Sequence, residues 1–191
     1  AYKVASKKLY RLLEEEGMEN LDPIIEEILD RSEKSMRAKI MEIPNGQYRD
    51  EMTVDGFEHP LTIKCMVEVK GDRVTVDFEG TSPQINRPIN SVMNYTYAYS
   101  CYALKCALDP SAPNNDGSFR PITIKAPEGS IVNAKRPAPV WGRHLTGHYL
   151  PPAIYAALAK LLPDRIVAES GSPLWNVYFK GNNEKSGKPF V

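Results

Sequence analysis

Residues 141–149 read Trp-Gly-Arg-His-Leu-Thr-Gly-His-Tyr and contain an arginine and two of the three histidines of the chain. His144 and His148 are four positions apart, so in a helix both imidazoles would face one ligand, as in a two-histidine metal site. Two glycines disfavour a helix here, and the run has no acidic residue. We therefore interpret Arg143, His144 and His148 as polar or anion-binding residues of a loop, and we predict no metal ligand in this chain.

A second candidate is Arg120, which leaves the turn sequence Asn-Asn-Asp-Gly at 114–117 just before a predicted strand. A guanidinium held at such a point binds a carboxylate or phosphate through two hydrogen bonds. From Arg120 to His148 there are five Lys or Arg residues and one acid, Glu128, so these loops should carry a positive potential. The alternative is that Arg120 pairs with a neighbouring acidic side chain and only stabilises its turn.

A third candidate is Asp77, where the hydrophobic strand 73–79 runs into the loop sequence Gly-Thr-Ser. A carboxylate at a strand end is well placed to orient a ligand or to act as a base. Alternatively, Asp77 and Ser82 bind the backbone of their own loop, which Asp and Ser side chains commonly do.

Composition excludes several classes of protein. The chain has 191 residues with 24 Lys+Arg against 24 Asp+Glu, and zero net charge argues against a dedicated nucleic-acid binder. There is no apolar run long enough for a membrane span and no signal-peptide pattern, so we expect a cytoplasmic protein. The three cysteines lack zinc-ligand spacing and are expected to be buried thiols.

The elements that must position these residues follow from the periodicity of apolar side chains. Residues 1–42 predict a pair of antiparallel helices, and residues 43–191 an α+β region that forms one domain of a longer subunit. We expect an antiparallel sheet with packed helices and long Pro-rich loops, since most of the 16 prolines fall after position 82. The predicted strands are 47–54, 61–69, 73–79 and 122–125, with further strands at 175–179 and 188–191, and the predicted helices of this region are 90–108 and 151–162.

Seven short motifs occur in an order that resembles the hydantoinase B/oxoprolinase family. They are Ile-Pro-Asn-Gly at 43–46, Val-Asp-Phe-Glu-Gly-Thr-Ser-Pro-Gln at 76–84, Pro-Ile-Asn at 88–90, the segment 114–121, Ala-Pro-Glu-Gly-Ser at 126–130, Val-Asn-Ala-Lys-Arg-Pro at 132–137 and Leu-Pro-Asp-Arg at 162–165. Each motif alone is unspecific, but the shared order extends over about residues 1–170. The family includes the B-type components of ATP-dependent N-methylhydantoinases, 5-oxoprolinases and the large components of acetone-type carboxylases.

The resemblance implies part of an ATP-driven enzyme. In that family a companion subunit of the A type binds ATP and phosphorylates the carbonyl oxygen of the small-molecule substrate, and the B-type part completes hydrolysis of a lactam or imide. The resemblance thus implies a hetero-oligomer that uses ATP and a divalent metal, with neither bound to this piece. Two further possibilities stay open: a piece of an acetone- or acetophenone-type carboxylase, and a non-catalytic assembly module of such a complex.

Two departures from the family pattern shape the expectations. The family's metal-binding region, an Asn-Asp-Pro-Tyr stretch followed by Gly-Thr-His, is absent here, so we expect an internal fragment that is inactive alone. Many members carry a Glu-Thr-Ser-x-Arg-like run after position 140, where this chain has Gly-Arg-His-Leu-Thr-Gly-His at 142–148. The substrate of better-known members therefore does not carry over.

Overall fold

A computed structural model of the chain describes residues 2–168 and 179–190. The described part is α+β, as the sequence predicts, with helices packed around a four-stranded sheet. None of its helices combines the length and the apolarity that crossing a bilayer requires. The predicted strand 175–179 lies almost wholly outside the described residues.

The chain begins with two helices, α1 (Tyr2–Glu15) and α2 (Asp22–Met41). No residue of α1 is buried, whereas Met36 and Ile40 of α2 are 0% exposed and belong to the same core as the sheet. The C-terminal half of α2 therefore packs against the α+β region.

The sheet starts as an antiparallel meander of β1 (Gly46–Val54), β2 (Leu61–Lys70) and β3 (Arg73–Asp77). Alternate residues of β2, from Leu61 to Val69, are buried, as expected for a strand with one face on the core. Gly71 turns the chain between β2 and β3 with a φ of +61°, a conformation that L side chains rarely adopt.

The fourth strand, β4 (Ile122–Lys125), lies parallel to β3, so the sheet is mixed rather than antiparallel throughout. The cause is the connection of 44 residues between Asp77 and Ile122, which carries two helices across the sheet. Antiparallel neighbours can be joined by a tight turn, but a parallel neighbour requires such a crossover. The prediction of an antiparallel sheet is therefore correct for three strands and wrong for the fourth.

The crossover contains α3 (Met93–Leu108) and the single turn α4 (Asp116–Phe119), and α5 (Arg143–Gly147) and α6 (Leu150–Ala159) follow β4. Helix α6 packs between the sheet and α3, and α4 packs on α2. A short hairpin of β5 (Gly181–Asn182) and β6 (Pro189–Phe190) ends the described chain. The Pro-rich segment that follows β4 therefore ends in a helical turn.

The Pro-rich loops before α3 and α5 are joined by one fully buried amide, that of Asn90. Its Oδ1 accepts a hydrogen bond from the Ile85 N–H at 2.9 Å, and its Nδ2 lies 2.8 Å from each of the carbonyl oxygens of Ile85, Arg87 and Pro139. This side chain thus adds to the backbone hydrogen bonds between the two loops, such as that from the Ser91 N–H to the Ile131 carbonyl at 2.7 Å.

Candidate functional site at the corner of α3 and α5

Helix α5 is fixed against the loop that precedes α3 by two short hydrogen bonds. The Gly142 N–H donates to the Pro88 carbonyl at 2.5 Å, and the Thr146 hydroxyl donates to the Ile89 carbonyl at 2.5 Å. The His148 N–H donates to the His144 carbonyl at 3.0 Å, so the helical spacing of the two histidines is realised. Their side chains are each half-buried. The interpretation of this run as a non-helical loop is wrong.

Arg143 of α5 and His148, the residue that follows this helix, contact a row of tyrosines on α3. The guanidinium carbon of Arg143 lies 5.6 Å from the ring centroid of Tyr95, a cation–π contact. Tyr95 stacks on Tyr99 with centroids 4.5 Å apart, and His148 meets Tyr99 edge-on at 5.9 Å. These four side chains thus form one continuous cluster, which we call the α3/α5 corner.

The charge state of this corner follows from its surroundings. Burial, together with a hydrogen bond to Tyr99, raises the pKa of Tyr95 to about 12, against a smaller opposing effect of Arg143. Tyr95 therefore stays a neutral phenol at physiological pH. Arg143 is exposed, and no acidic side chain of residues 2–168 or 179–190 forms an ion pair with it. The corner therefore offers a cation held in place by an aromatic face.

A groove of about 1130 Å³ extends from the corner between the outer faces of α3 and α6. Tyr99 and His148 form part of its lining, so the corner and the groove are continuous. Two further tyrosines line the groove: burial raises the pKa of Tyr155 to about 12, and the neighbouring Cys106 thiol raises the pKa of Tyr102. The sequence predicts buried thiols throughout, but Cys106 is exposed on this groove, whereas Cys65 and Cys101 are buried.

Arg120 does not join this corner. Its guanidinium lies 3.0 Å from Asp30, 3.1 Å from Glu33 and 3.6 Å from Glu26, all on α2. A guanidinium that already faces three carboxylates has little positive field left for a substrate anion. The contacts of Arg120 thus match the alternative of an arginine that pairs with neighbouring acids and holds α4 to α2.

We expect replacement of Glu33 by glutamine to destabilise the chain by about 1 kcal/mol at pH 7, as for a partly exposed ion-pair network. Hydrogen bonds from Arg37 and then Arg120 lower the pKa of Glu33 below 4.5. A depressed pKa stabilises the fold at pH values above the unfolded pKa, and that stability is lost as the pH falls through the folded pKa. Denaturant unfolding of Glu33→Gln and wild type at pH 7 and pH 3 measures the difference.

The matched control is Glu26→Gln on the same helix, because Glu26 is 66% exposed and its contact with Arg120 is longer, at 3.6 Å. We expect its free energy of unfolding to equal that of wild type within about 0.5 kcal/mol. A Glu33→Gln deficit that persists unchanged at pH 3 would contradict the ionic explanation.

Asp77 also lies away from the corner. It ends β3, opposite Met66 on one side and Lys125 on the other, and its Oδ1 accepts a hydrogen bond from the Glu79 N–H at 2.9 Å. Asp77 thus binds the backbone of its own loop, which is the alternative given above for this residue. Ser82 differs from this alternative, because its hydroxyl oxygen accepts from the N–H of Thr62 in β2 at 2.9 Å and so ties the loop to the sheet.

The described residues do not form a site for the divalent metal that the resemblance implies for the whole complex. No three His, Cys, Asp or Glu side chains within 2–168 and 179–190 come together in a way that could hold a metal ion. His144 and His148 share one helical turn but have no third ligand among these residues. We therefore assign no metal ligand to this part of the chain.

Comparison with known proteins identifies the family. The family model for Hydantoinase B/oxoprolinase matches residues 1–191, and the chain belongs to this family. The B component of a putative D-/L-hydantoinase from a Pseudomonas species is 32% identical over 200 residues, covering 97% of this chain and 34% of that protein. The beta component of the caprolactamase of Pseudomonas jessenii is 28% identical over 176 residues, covering 90% and 30%.

Solved structures agree with the assignment. The crystal structure of ATP-dependent caprolactamase from Pseudomonas jessenii matches with a TM-score of 0.77 at 28% identity, over 85% of this chain and 29% of that one. A nucleotide-free acetone carboxylase matches with a TM-score of 0.59 at 18% identity, over 70% of this chain and 20% of that one, which establishes a shared fold. The chain spans about a third of the length of the curated relatives it matches.

Sequence reasoning finds part of this corner. The stripe of Tyr95, Tyr99 and Tyr102 is recognisable as one face of a helix, but periodicity alone indicates only packing. The residue that could have indicated the contact between α3 and α5 is Gly147. A Cβ at that position would lie 2.1 Å from Cε1 of Tyr95, so only glycine allows the ring to approach this closely. A glycine within a helical turn indicates a close approach by another side chain, but the sequence does not say which.

Proposed function

We propose that this chain is part of the B-type subunit of an ATP-dependent amidohydrolase that opens a cyclic imide or lactam of the hydantoin or 5-oxoproline kind. The observation that carries the proposal is the agreement of two relatives over 90% or more of the chain: one is described as the B component of a hydantoinase and the other as the beta component of a caprolactamase. Hydantoins and caprolactam are both cyclic amides. The complex works in the cytoplasm with an A-type partner subunit, which binds the ATP.

The role of the described residues is to bind the activated substrate. An amide is unreactive because its carbonyl is stabilised by resonance, and phosphorylation of the carbonyl oxygen by the partner supplies a good leaving group and an anion. Arg143 offers that anion a guanidinium without a competing carboxylate among the described residues. His148, edge-on to Tyr99, and His144 one turn earlier supply imidazole N–H groups as further hydrogen-bond donors.

We expect Arg143→Ala to lower kcat/KM for substrate-dependent ATP hydrolysis by about 10- to 100-fold, the loss of one charge-assisted hydrogen bond. The enzyme for this measurement is the full-length subunit co-expressed with its A-type partner. Release of ADP is followed with hydantoin, 5-oxoproline and caprolactam as substrates.

The matched control for this measurement is Arg136→Ala, an exposed arginine of the preceding Pro-rich loop. It removes the same charge without touching α3, so we expect its kcat/KM to stay within twofold of wild type. Unchanged ATP hydrolysis in both Arg143→Ala and His144→Ala would show that the corner is not the substrate site. The fragment of residues 1–191 alone is expected to give no turnover.

A carboxylase is the second candidate, and the fold shared with acetone carboxylase favours it. The reaction in that case would use the phosphorylated substrate to form a carbon–carbon bond instead of admitting water. Dependence of ATP consumption on bicarbonate separates the two, because a hydrolase needs none.

A non-catalytic assembly role is the third candidate, and helix α1 favours it. Leu9 and Leu12 of α1 and Ile24, Ile25 and Ile28 of α2 are 42–47% exposed, which leaves an apolar stripe open. Under this interpretation Leu9→Glu abolishes co-purification with the A-type partner, and Arg143→Ala leaves turnover unchanged. Normal turnover with intact co-purification in Leu9→Glu would exclude it.

A further inference from the structure

Among the described residues, the groove between α3 and α6 is lined almost entirely by uncharged side chains. Its walls are alanine, proline, isoleucine and valine side chains together with three tyrosines, one cysteine and one histidine, and no Lys, Arg, Asp or Glu of the described residues contributes. The pKa of Tyr155 is raised by burial and that of Tyr102 by the neighbouring thiol, so both phenols stay protonated. Such a surface binds uncharged, apolar groups and offers hydroxyl groups as hydrogen-bond donors.

The charge in this region lies at one end of the groove. His148 lines the groove, and the wall residue Tyr99 stacks on Tyr95, whose ring carries the guanidinium of Arg143. A ligand that fits both parts is therefore amphiphilic, with an anionic or hydrogen-bonding end at the α3/α5 corner and an apolar body along α3 and α6. At about 1130 Å³ the groove has room for much more than a single five-membered ring.

We propose that the groove binds a bulky apolar substituent of the substrate, and that the enzyme prefers cyclic amides carrying such a group. This inference rests on the proposed function, because the corner must hold the reacting amide. Tyr99 and Tyr102 are tilted by 58° with ring centroids 6.5 Å apart. Aromatic rings favour stacked or tilted contacts of this kind, so an aromatic ring on the substrate can pack against the faces that this pair presents to the groove.

The test compares hydantoin with 5-benzylhydantoin in the full-length complex, by calorimetric binding and by turnover. Burial of a phenyl ring makes the benzyl compound bind at least tenfold more tightly in wild type. Ala98 of α3 and Ala156 of α6 are exposed alanines on opposite walls of the groove. Ala98→Phe and Ala156→Phe should each raise the Kd and KM of the benzyl compound at least tenfold. The Kd and KM of hydantoin, which carries no group to place in the groove, should rise less than those of the benzyl compound.

Ala156→Ser is the matched control, since it changes the same position without filling the groove, and it should keep the preference of wild type. The inference is overturned if wild type shows no preference in binding, or if both phenylalanine variants keep the preference. It is also overturned if those variants lose the A-type partner, because the groove then belongs to a subunit contact. Binding decides this inference even without turnover, whereas absence of turnover of any cyclic amide by wild type contradicts the proposed function.

Discussion

Replacement of Asn90 by aspartate is expected to lower the free energy of unfolding by about 3–5 kcal/mol, the range for an uncompensated buried charge. The Asn90 side chain is 0% exposed, and its Nδ2 group lies 2.8 Å from three carbonyl oxygens. Aspartate has nearly the same shape but places a negative oxygen where those carbonyls require a donor. Denaturant unfolding at pH 7 measures the loss.

Asn94→Asp is the control for this substitution. Asn94 is exposed in the first turn of α3, where a negative charge interacts favourably with the helix dipole, so its free energy of unfolding should stay within about 0.5 kcal/mol of wild type. Equal losses in both variants would contradict the role of the buried amide.

Asn90 also affects the geometry of the candidate site. Its amide holds the carbonyls of Arg87 and Pro139, and the residues that follow Arg87 accept the two hydrogen bonds that fix α5. The position of Arg143 over Tyr95 therefore depends on a loop that has no strand or helix of its own. We infer that rigid Pro-rich loops, and not the sheet, set the geometry of the corner.

Local signals make most of the fold predictable. The alternation from Leu61 to Val69 marks a strand with one buried face, and the structure places β2 at Leu61–Lys70. The pairing direction of β4 is not predictable, because its four residues look the same in a parallel or antiparallel neighbour. That direction depends on the path of the connection that contains α3, which is a property of the tertiary structure and not of the strand's own residues.

The residues of the candidate site are harder to predict than the fold. Arg120 and Arg143 both follow turn sequences, and nothing local distinguishes them. Arg120 meets acids of α2, 87 to 94 positions earlier in the chain, whereas Arg143 meets an aromatic ring. Such long-range contacts cannot be inferred from the residues that neighbour each arginine in the sequence. The helix at residues 143–147 escapes prediction for a related reason, since Gly147 is there for the Tyr95 ring and not for backbone freedom.

Substitution of Gly147 by alanine should therefore damage the site although alanine is the better helix former by about 1 kcal/mol. The new Cβ would lie 2.1 Å from Cε1 and 2.8 Å from Cδ1 of Tyr95, so the ring must move. Displacement breaks the stack on Tyr99 and removes the surface on which Arg143 rests. We expect kcat/KM for substrate-dependent ATP hydrolysis to fall at least tenfold, with an overpacking cost of about 1–3 kcal/mol in stability.

A double-mutant cycle with Tyr95→Ala separates this clash from a general disturbance of α5. Without the Tyr95 ring, the Cβ at position 147 meets no other atom closer than 3.2 Å among the contacts of that site. Gly147→Ala should then cost nothing further in stability, with a coupling free energy of about 1–3 kcal/mol between the two positions. Additive losses in the double variant would mean that Gly147 is required by the backbone of α5. The corner would then owe its geometry to the loop alone, not to the packing of Tyr95 against the helix.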